Sequence, residues 1–150
     1  MLRRITLLLA GFVGTALAAR ALAGDDTRLS IATDHGPQLF TVELATTPDQ
    51  MERGLMFRRS LAPDAGMLFV YPDARQVEFW MKNTLIPLDM LFIAADGKVS
   101  RIVERTVPLS ETPISSVDEI RAVLEVNGGT AARLGIKPGD VVRDSALGNE

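Results

Sequence analysis

Three polar side chains that could bind a ligand or do chemistry lie close together in the segment EFWMKNTLIPLDMLFI, residues 78–93. Lys82, Asn83 and Asp89 fall within eight residues, beside the indole of Trp80, and most of the side chains around them are apolar. A carboxylate can act as a general acid or base, and a desolvated lysine can act as a nucleophile. A few polar groups on an apolar concave surface also suit a small-molecule site. The segment is therefore the first candidate for a functional site.

Two charged residues elsewhere in the chain are candidates to reach the same site. Arg58 lies near the end of the run GLMFRR, residues 54–59, and Glu125 is the only charged residue in AVLEVN, residues 122–127. An inward-pointing Glu125 needs a cation or hydrogen-bond donors, because an isolated buried carboxylate is very costly. The cations of the site favour an anionic or polyhydroxylated small ligand over a cationic one. The predicted ligand-binding residues are Arg58, Trp80, Lys82, Asn83, Asp89 and Glu125.

A purely structural role for the charges competes equally with the ligand site. If Leu85 and Ile86 form a two-residue turn, the segment 78–93 becomes a hairpin in which Lys82 lies opposite Asp89. Opposed residues on neighbouring strands share a face of the sheet and interact. The two charges then form an ion pair that fixes the strand register and does no chemistry.

An enzyme is the alternative from another functional class. Asp89, Glu125 and Lys82 are chemically adequate for a hydrolase-like or transferase-like reaction. No sequence signature supports this alternative, since the only histidine, His35, lies in the predicted turn DHGP and no glycine-rich phosphate loop follows a predicted strand. The absence of cysteine excludes thiol catalysis and cysteine-ligated metal sites. The sequence leaves open whether any reaction is catalysed.

Methionine offers a metal-binding alternative. After Met1, the five methionines all lie between residues 51 and 90, and Met81 and Met90 could supply thioether ligands for Cu(I). Most aromatic residues fall in or beside the same interval, and methionine fills irregular gaps in apolar cores. A core position is the stronger hypothesis for both methionines, so we predict no metal site and no other cofactor.

The N-terminus has the layout of a secretory signal peptide. Arg3 and Arg4 precede an apolar run at residues 5–19, and a small-residue motif before an acidic segment predicts cleavage after Ala23. The run is shorter than the roughly 20 apolar residues of a spanning helix, so we expect no stable membrane span after cleavage and a periplasmic or secreted protein. Cleavage removes three arginines and no acid, which lowers the net charge from −3 to −6 and argues against a nucleic-acid partner.

The remaining residues, 24–150, have a length typical of one domain with a single core. Alternating apolar and polar residues predict strands at 28–33 and 39–45, and Thr47-Pro48-Asp49-Gln50 predicts a capping box that opens a short helix ending near Gly54. Further predicted elements are a strand at 66–71, two strands within 78–93, a turn at 95–98 followed by the strand VSRIVE, an irregular loop at 108–116, a strand at 122–126, a helical turn at 130–134 and a strand at 140–142. The fold class is therefore mostly β (α+β), a compact antiparallel barrel-like or sandwich-like domain with two short helices.

The chain resembles a known family in the order of its most distinctive segments. The segments ERGLMFRRSL, GMLF, FWMKNTLIPLDMLFI, DGKV, LEVNGG and PGDVV are similar, in this order, to the family catalogued as domain of unknown function 192 (DUF192), over roughly residues 41–143. The resemblance implies a compact β-rich domain with small helices, and it implies little about function because the family is uncharacterised. We expect an exported domain that binds a small ligand or a partner through a polar cleft around WMKNT and PLD.

Overall fold

A computed structural model describes residues 26–149, in which there are nine β-strands, two α-helices and one short 3₁₀ turn. The predicted signal peptide and its cleavage site after Ala23 lie outside the described residues. Within residues 26–149, no helix is both long enough and apolar enough to cross a membrane. The elements are β1 (Asp26–Thr33), β2 (Gly36–Ala45), α1 (Pro48–Arg53), β3 (Ala65–Arg75), β4 (Glu78–Phe79), β5 (Leu88–Ile93), β6 (Val99–Val103), β7 (Ile114–Ser115), β8 (Ile120–Asn127), α2 (Thr130–Leu134), β9 (Val141–Arg143) and the 3₁₀ turn Ser145–Leu147.

Seven of the strands form one curled sheet in the order β6-β5-β8-β3-β2-β1-β9. Every neighbouring pair in it is antiparallel except β2 and β3, which run parallel because α1 and the loop after it carry the chain back to the starting end of the sheet. The two edges of the sheet meet, since Val99 N donates to Asp140 O at 2.9 Å and Val142 N donates to Gly97 O at 2.8 Å. The predicted mostly β, barrel-like fold with two short helices is confirmed.

The central strands are buried on both faces. Side chains of one parity form an apolar cluster that includes Leu68, Leu91 and Leu124, and side chains of the other parity form a second cluster that includes Phe69 and Phe92. All six residues of β5 are buried. A strand that is covered on both sides has a continuous apolar sequence and no alternation, which explains the run LDMLFI.

The capping box predicted at the start of the first helix is confirmed. Gln50 N donates to Thr47 Oγ1 at 3.3 Å, and Thr47 N donates in return to Gln50 Oε1 at 3.1 Å. The helix stops at Gly54, whose φ of 45° favours glycine. No residue of α1 is buried, so this helix lies on the outside of the sheet and depends on its cap.

The predicted hairpin within residues 78–93 is wrong. Of the residues before β5 in this segment, only Glu78–Phe79 form a strand. That strand pairs with β7 in a separate two-stranded sheet, and β7 lies in the region predicted as an irregular loop. Residues 80–87 form a loop, and β5 pairs with β6 on one side and with β8 on the other. Because both edges of β5 are occupied, no edge is left for the segment before it. Lys82 and Asp89 therefore do not face each other across a hairpin.

Candidate functional site

Asp89 is completely buried and binds three backbone N–H groups. Its Oδ1 accepts hydrogen bonds from Arg105 N and Gly129 N, both at 2.8 Å, and its Oδ2 accepts one from Ala131 N at 2.8 Å. These donors lie in the loop after β6 and at the start of α2, where no side chain of the helix itself provides a cap. The Asp89 side chain thus caps the N-terminus of α2 from a strand that is distant in sequence. Its three partners are backbone N–H groups, and Lys82 is not among them.

The predicted cations of the site have other partners. The guanidinium of Arg58 forms a double hydrogen bond with the Glu43 carboxylate, at 2.5 and 2.6 Å. The ammonium of Lys82 lies 5.1 Å from the centroid of the Trp80 ring, which is a cation–π distance. Asn83 contacts the Met56 sulfur at 3.9 Å through its side-chain amide, and its φ of 56° bends the loop toward α1.

A cavity of about 320 Å³ lies between α1, the loop at residues 80–84 and the sheet. Its walls are mainly aromatic and methionine side chains, and its polar groups are glutamates, one arginine, one threonine and one tyrosine phenol. The lining side chains include Met51, Glu52, Arg53, Met56, Phe69, Tyr71, Glu78, Phe79, Trp80, Thr84 and Glu125.

Glu125 lies at the inner end of this cavity. It is opposite Met67 on β3 and Met90 on β5, so its side chain points to the same face of the sheet as these two methionines, toward α1. Only 4% of the residue is exposed, and its carboxyl group accepts no hydrogen bond from any residue in the described part of the chain. Burial raises the pKa of Glu125 to about 8. The group is therefore mainly protonated at neutral pH.

Tyr71 on β3 lines the same cavity as Glu125 and is a titratable neighbour of it. Burial, and then the charge of Glu125, raise the pKa of the Tyr71 phenol to about 12. The phenol therefore stays neutral over the physiological range and supplies a hydrogen-bonding group, not a charge.

A second cavity of about 390 Å³ adjoins the first. The two share Glu52, Arg53, Met56 and Trp80 as lining residues, so they lie side by side and form what we call the α1 cleft. The residues that line only the second cavity are Asp49, Phe57, Lys82 and Asn83.

The structure brings together four of the six predicted site residues. Trp80, Lys82, Asn83 and Glu125 line the α1 cleft, and Arg58 and Asp89 do not. Asp89 is opposite Val126, so it points to the face of the sheet away from Glu125. The set proposed for an enzyme, Asp89 with Glu125 and Lys82, is therefore not assembled at one place.

Sequence reasoning missed the contribution of α1 and the segment that follows it. Met51, Glu52, Arg53 and Met56 all line the cleft, and the only available signal was the position of these methionines next to a capped helix. Met81 and Met90 are 1% and 0% exposed and lie in the core, so they do not form a surface pair of thioethers. Among the described residues, no group of three or more histidine, aspartate or glutamate side chains is placed to hold a metal ion.

The family model of DUF192, described as an uncharacterized ACR, matches residues 30–143. The chain belongs to the DUF192 family. No curated protein matches this DUF192 chain.

Two solved structures are similar to this DUF192 domain. One, from Sinorhizobium meliloti 1021, is that of a protein named as a candidate transcription regulator; it is 47% identical with a TM-score of 0.81, and the match covers 84% of this chain and 98% of that one. Another is that of a protein of unknown function from Novosphingobium aromaticivorans DSM 12444, 43% identical with a TM-score of 0.77, and the match covers 79% of this chain and 84% of that one.

The first prediction concerns the separate roles of Asp89 and Lys82. Asp89→Asn is expected to lower the free energy of unfolding by about 3 kcal/mol, because the amide presents a donor to backbone N–H groups that have no other partner. Lys82→Met should change it by less than about 1 kcal/mol, since only the contact with Trp80 is lost. Urea denaturation measures both. Strong non-additivity in the double variant would contradict the separation of the two side chains.

The second prediction concerns pH and Glu125. The folded protein retains the Glu125 proton up to about pH 8, whereas the unfolded chain releases it near 4.5. The folded state therefore binds more protons between these values, and the free energy of unfolding falls as pH rises from 4.5 to 8, by roughly 4 to 5 kcal/mol. Glu125→Gln should remove this dependence, so that the variant matches the native protein near pH 5 and is more stable at pH 9.

Urea denaturation of the Glu125→Gln variant at a series of pH values tests this sign. Glu119→Gln is the matched control, because Glu119 is exposed and the same change in charge occurs in solvent. The explanation fails if the Glu125→Gln variant retains the native decline between pH 5 and pH 9.

Proposed function

We propose that this DUF192 domain binds a small molecule in the α1 cleft. The observation that carries the proposal is the Glu125 carboxyl group, which is buried, faces a cavity and accepts no hydrogen bond within the described part of the chain. Its oxygens are open to the cavity, since Arg121 Nη1 is the one fully buried side-chain nitrogen or oxygen without a hydrogen-bond partner among the described residues. The hydrogen-bonding capacity of Glu125 is therefore available to a molecule that enters the cavity. A ligand that hydrogen-bonds to Glu125 supplies the missing partner.

The size and lining of the cleft support a small-molecule ligand. Each of its two cavities, of about 320 and 390 Å³, lies within the range of ordinary ligand pockets. Trp80 stands between them and remains 47% exposed, although large aromatic side chains are usually more fully covered. Met51 and Met56 provide adaptable apolar surface on the opposite wall.

The second cavity suits an anionic or polyhydroxylated part of a ligand. Arg53 and Lys82 contribute positive charge there, and Asn83 contributes an amide that can both donate and accept. Asp49 and Glu52 also line this cavity, so the charges are mixed and an anion is favoured only at its Lys82 end.

An exported, single-domain protein remains part of the proposal. Export to the periplasm or the medium is supported by the N-terminal sequence, residues 1–23. The name of the Sinorhizobium relative would suggest transcriptional regulation instead, and the negative charge of this chain does not favour contact with DNA. We therefore retain a small molecule as the partner.

An acid–base enzyme is the second candidate, and one observation favours it. The pKa of Glu125, raised by burial to about 8, lies near neutral pH, where a general acid or base is most effective. Glu78 lines the same cavity and is the carboxylate that would take the second role in place of Asp89. Binding remains the better-supported function, because it requires only Glu125 and the cleft.

The third prediction tests the proposed binding site through its own fluorophore. Trp80 is the only tryptophan in the chain, so its emission reports on the cleft alone. A library of small molecules should contain compounds that shift or quench this emission in a saturable way. Met56→Ala should weaken their binding about tenfold, because it removes one wall that both cavities share.

Leu39→Ala is the control for this titration, since Leu39 is an exposed apolar residue that lines neither part of the cleft. The compounds that bind the native protein should bind the Leu39→Ala variant with the same affinity. The proposal would be abandoned if saturable compounds bound the Met56→Ala and native proteins equally well, or if no compound in a diverse library changed the Trp80 emission.

A further inference from the structure

The first cavity of the α1 cleft has the composition of a cation site. Four aromatic rings line it, together with three glutamates and one arginine. Glu52 and Glu78 are exposed and Glu125 is buried, so acidic groups occur at both ends of the cavity. Among the described residues, none of these three glutamates is in an ion pair. The four rings are those of Phe69, Tyr71, Phe79 and Trp80.

The rings that line the cavity already attract cations from this chain. Lys82 Nζ lies 5.1 Å from the centroid of Trp80, and Arg75 Cζ lies 5.9 Å from that of Tyr71. Neither cation lines the first cavity. The rings of Phe69 and Phe79 meet edge to face, with their centroids 5.1 Å apart, so their planes are perpendicular. The electron-rich face of an aromatic ring attracts an ammonium ion within about 6 Å.

We propose that the first cavity binds an organic cation, an alkylated ammonium group, with aromatic rings as its walls and the Glu125 carboxylate as its counter-ion. This inference rests on the proposed function and names the chemical class of the ligand. It combines two independent features: a buried acid without a partner, and rings able to hold a positive charge beside it.

An alkylated ammonium group fits better than a primary one. A primary ammonium brings three N–H donors that each need an acceptor. The side-chain acceptors inside the cavity are the Glu125 carboxyl, the Tyr71 phenol and the Thr84 hydroxyl, which lie on three different segments, with Glu52 and Glu78 exposed. A quaternary ammonium has no N–H donor, so it enters without leaving one unsatisfied, and aromatic cages are suited to it. An anion would instead meet three glutamates.

The cations that favoured an anionic ligand lie outside this cavity. Arg58 is held by Glu43, and Lys82 lines only the second cavity. Arg53 is the one cation at the first cavity, and it is exposed where Glu52 and Glu78 are exposed as well. An anionic or hydroxylated end of the same ligand remains compatible with the second cavity.

Binding of a permanent cation changes the protonation of Glu125 and makes no covalent bond. The carboxyl group of the free protein releases its proton to the buffer, and the carboxylate that remains pairs with the ammonium. None of the charged or titratable groups that face Glu125 takes the place of the ammonium group as the partner of its carboxylate. They are Glu52 and Arg53 on α1, Tyr71 on β3 and Glu78 on β4. Farther along the same face are Arg121 on β8 itself and the Glu43–Arg58 pair opposite Met67.

The fourth prediction uses three probes of nearly the same shape and different charge. Choline is a permanent cation, 3,3-dimethylbutan-1-ol is its neutral isostere and 3,3-dimethylbutanoate is an anion of similar size. Isothermal titration of the full protein should show choline binding at least tenfold more tightly than the alcohol at pH 7. The Kd of choline should fall about tenfold between pH 6 and pH 7, because one proton is released for each cation bound.

Two further measurements identify Glu125 as the group that releases the proton. Titrations at pH 6.5 in buffers of different ionisation enthalpy should report close to one proton released for each choline bound, and none for the alcohol. Glu125→Gln, which keeps the shape and removes the charge, should bind choline no more tightly than the alcohol and without pH dependence. Glu119→Gln should behave as the native protein.

The comparison of the three probes tests the cation site without the use of any variant. If the alcohol or the anion binds as tightly as choline, or if the affinity for choline does not change with pH, the cation site is refuted and the proposed binding function stands. If choline neither gives binding heat nor changes the Trp80 emission, the cation site is refuted too. The library titration then decides separately whether the cleft binds other molecules.

Discussion

Burial of the sheet on both faces is the constraint on which the rest of the structure depends. Where β5 and β8 run side by side, apolar clusters cover them from both directions, and a polar side chain in this region is largely removed from bulk water. Each such group must find a partner inside the protein or remain uncompensated. The two carboxyl groups in this layer, those of Asp89 and Glu125, meet this constraint in opposite ways.

Asp89 pairs both of its carboxylate oxygens with backbone donors. Its two oxygens connect β5 to the loop after β6 and to the start of α2. A charged acceptor with three short N–H bonds is a strong structural tie. Glu125, one residue out of step on the neighbouring strand, points to the other face, where there are aromatic rings and methionine sulfur and where no donor from residues 26–149 hydrogen-bonds to it. Of the two buried carboxyl groups, that of Asp89 is thus bound by backbone N–H donors, and that of Glu125 is open to a cavity.

The sequence predicts the strands well because each depends on local information. Alternation, turn residues and the capping box lie within a few positions of one another, and the strands, turns and helices that they predict match the described elements closely. Glu125 also stands out in sequence, since a single charge within an apolar strand requires a partner if it points inward. The conclusion that it faces a cavity needs the pairing of β8 with β3 and β5, which no local pattern specifies.

The partners of Asp89 were not predictable from residue types. They are backbone N–H groups 16, 40 and 42 positions away, and a backbone donor has no signature in the sequence. The short sequence separation between Lys82 and Asp89 suggested an ion pair, because opposite charges on paired strands attract each other. The occupied edges of β5 exclude that pairing, and this depends on strands far away in the chain.

The two sides of the α1 cleft differ in how firmly the fold holds them. Glu125 and Phe69 belong to central strands of the sheet, bonded on both edges, whereas α1 has no buried residue and is held by its capping box and its flanking segments. Elements with few buried apolar contacts open with the least free energy, and binding sites commonly include them. A ligand that contacts Met51 and Met56 adds apolar burial to this weakly anchored wall, so binding and the stability of α1 are coupled. A fixed acidic floor with an adaptable wall suits a site that is specific for one charged group and tolerant of the body attached to it.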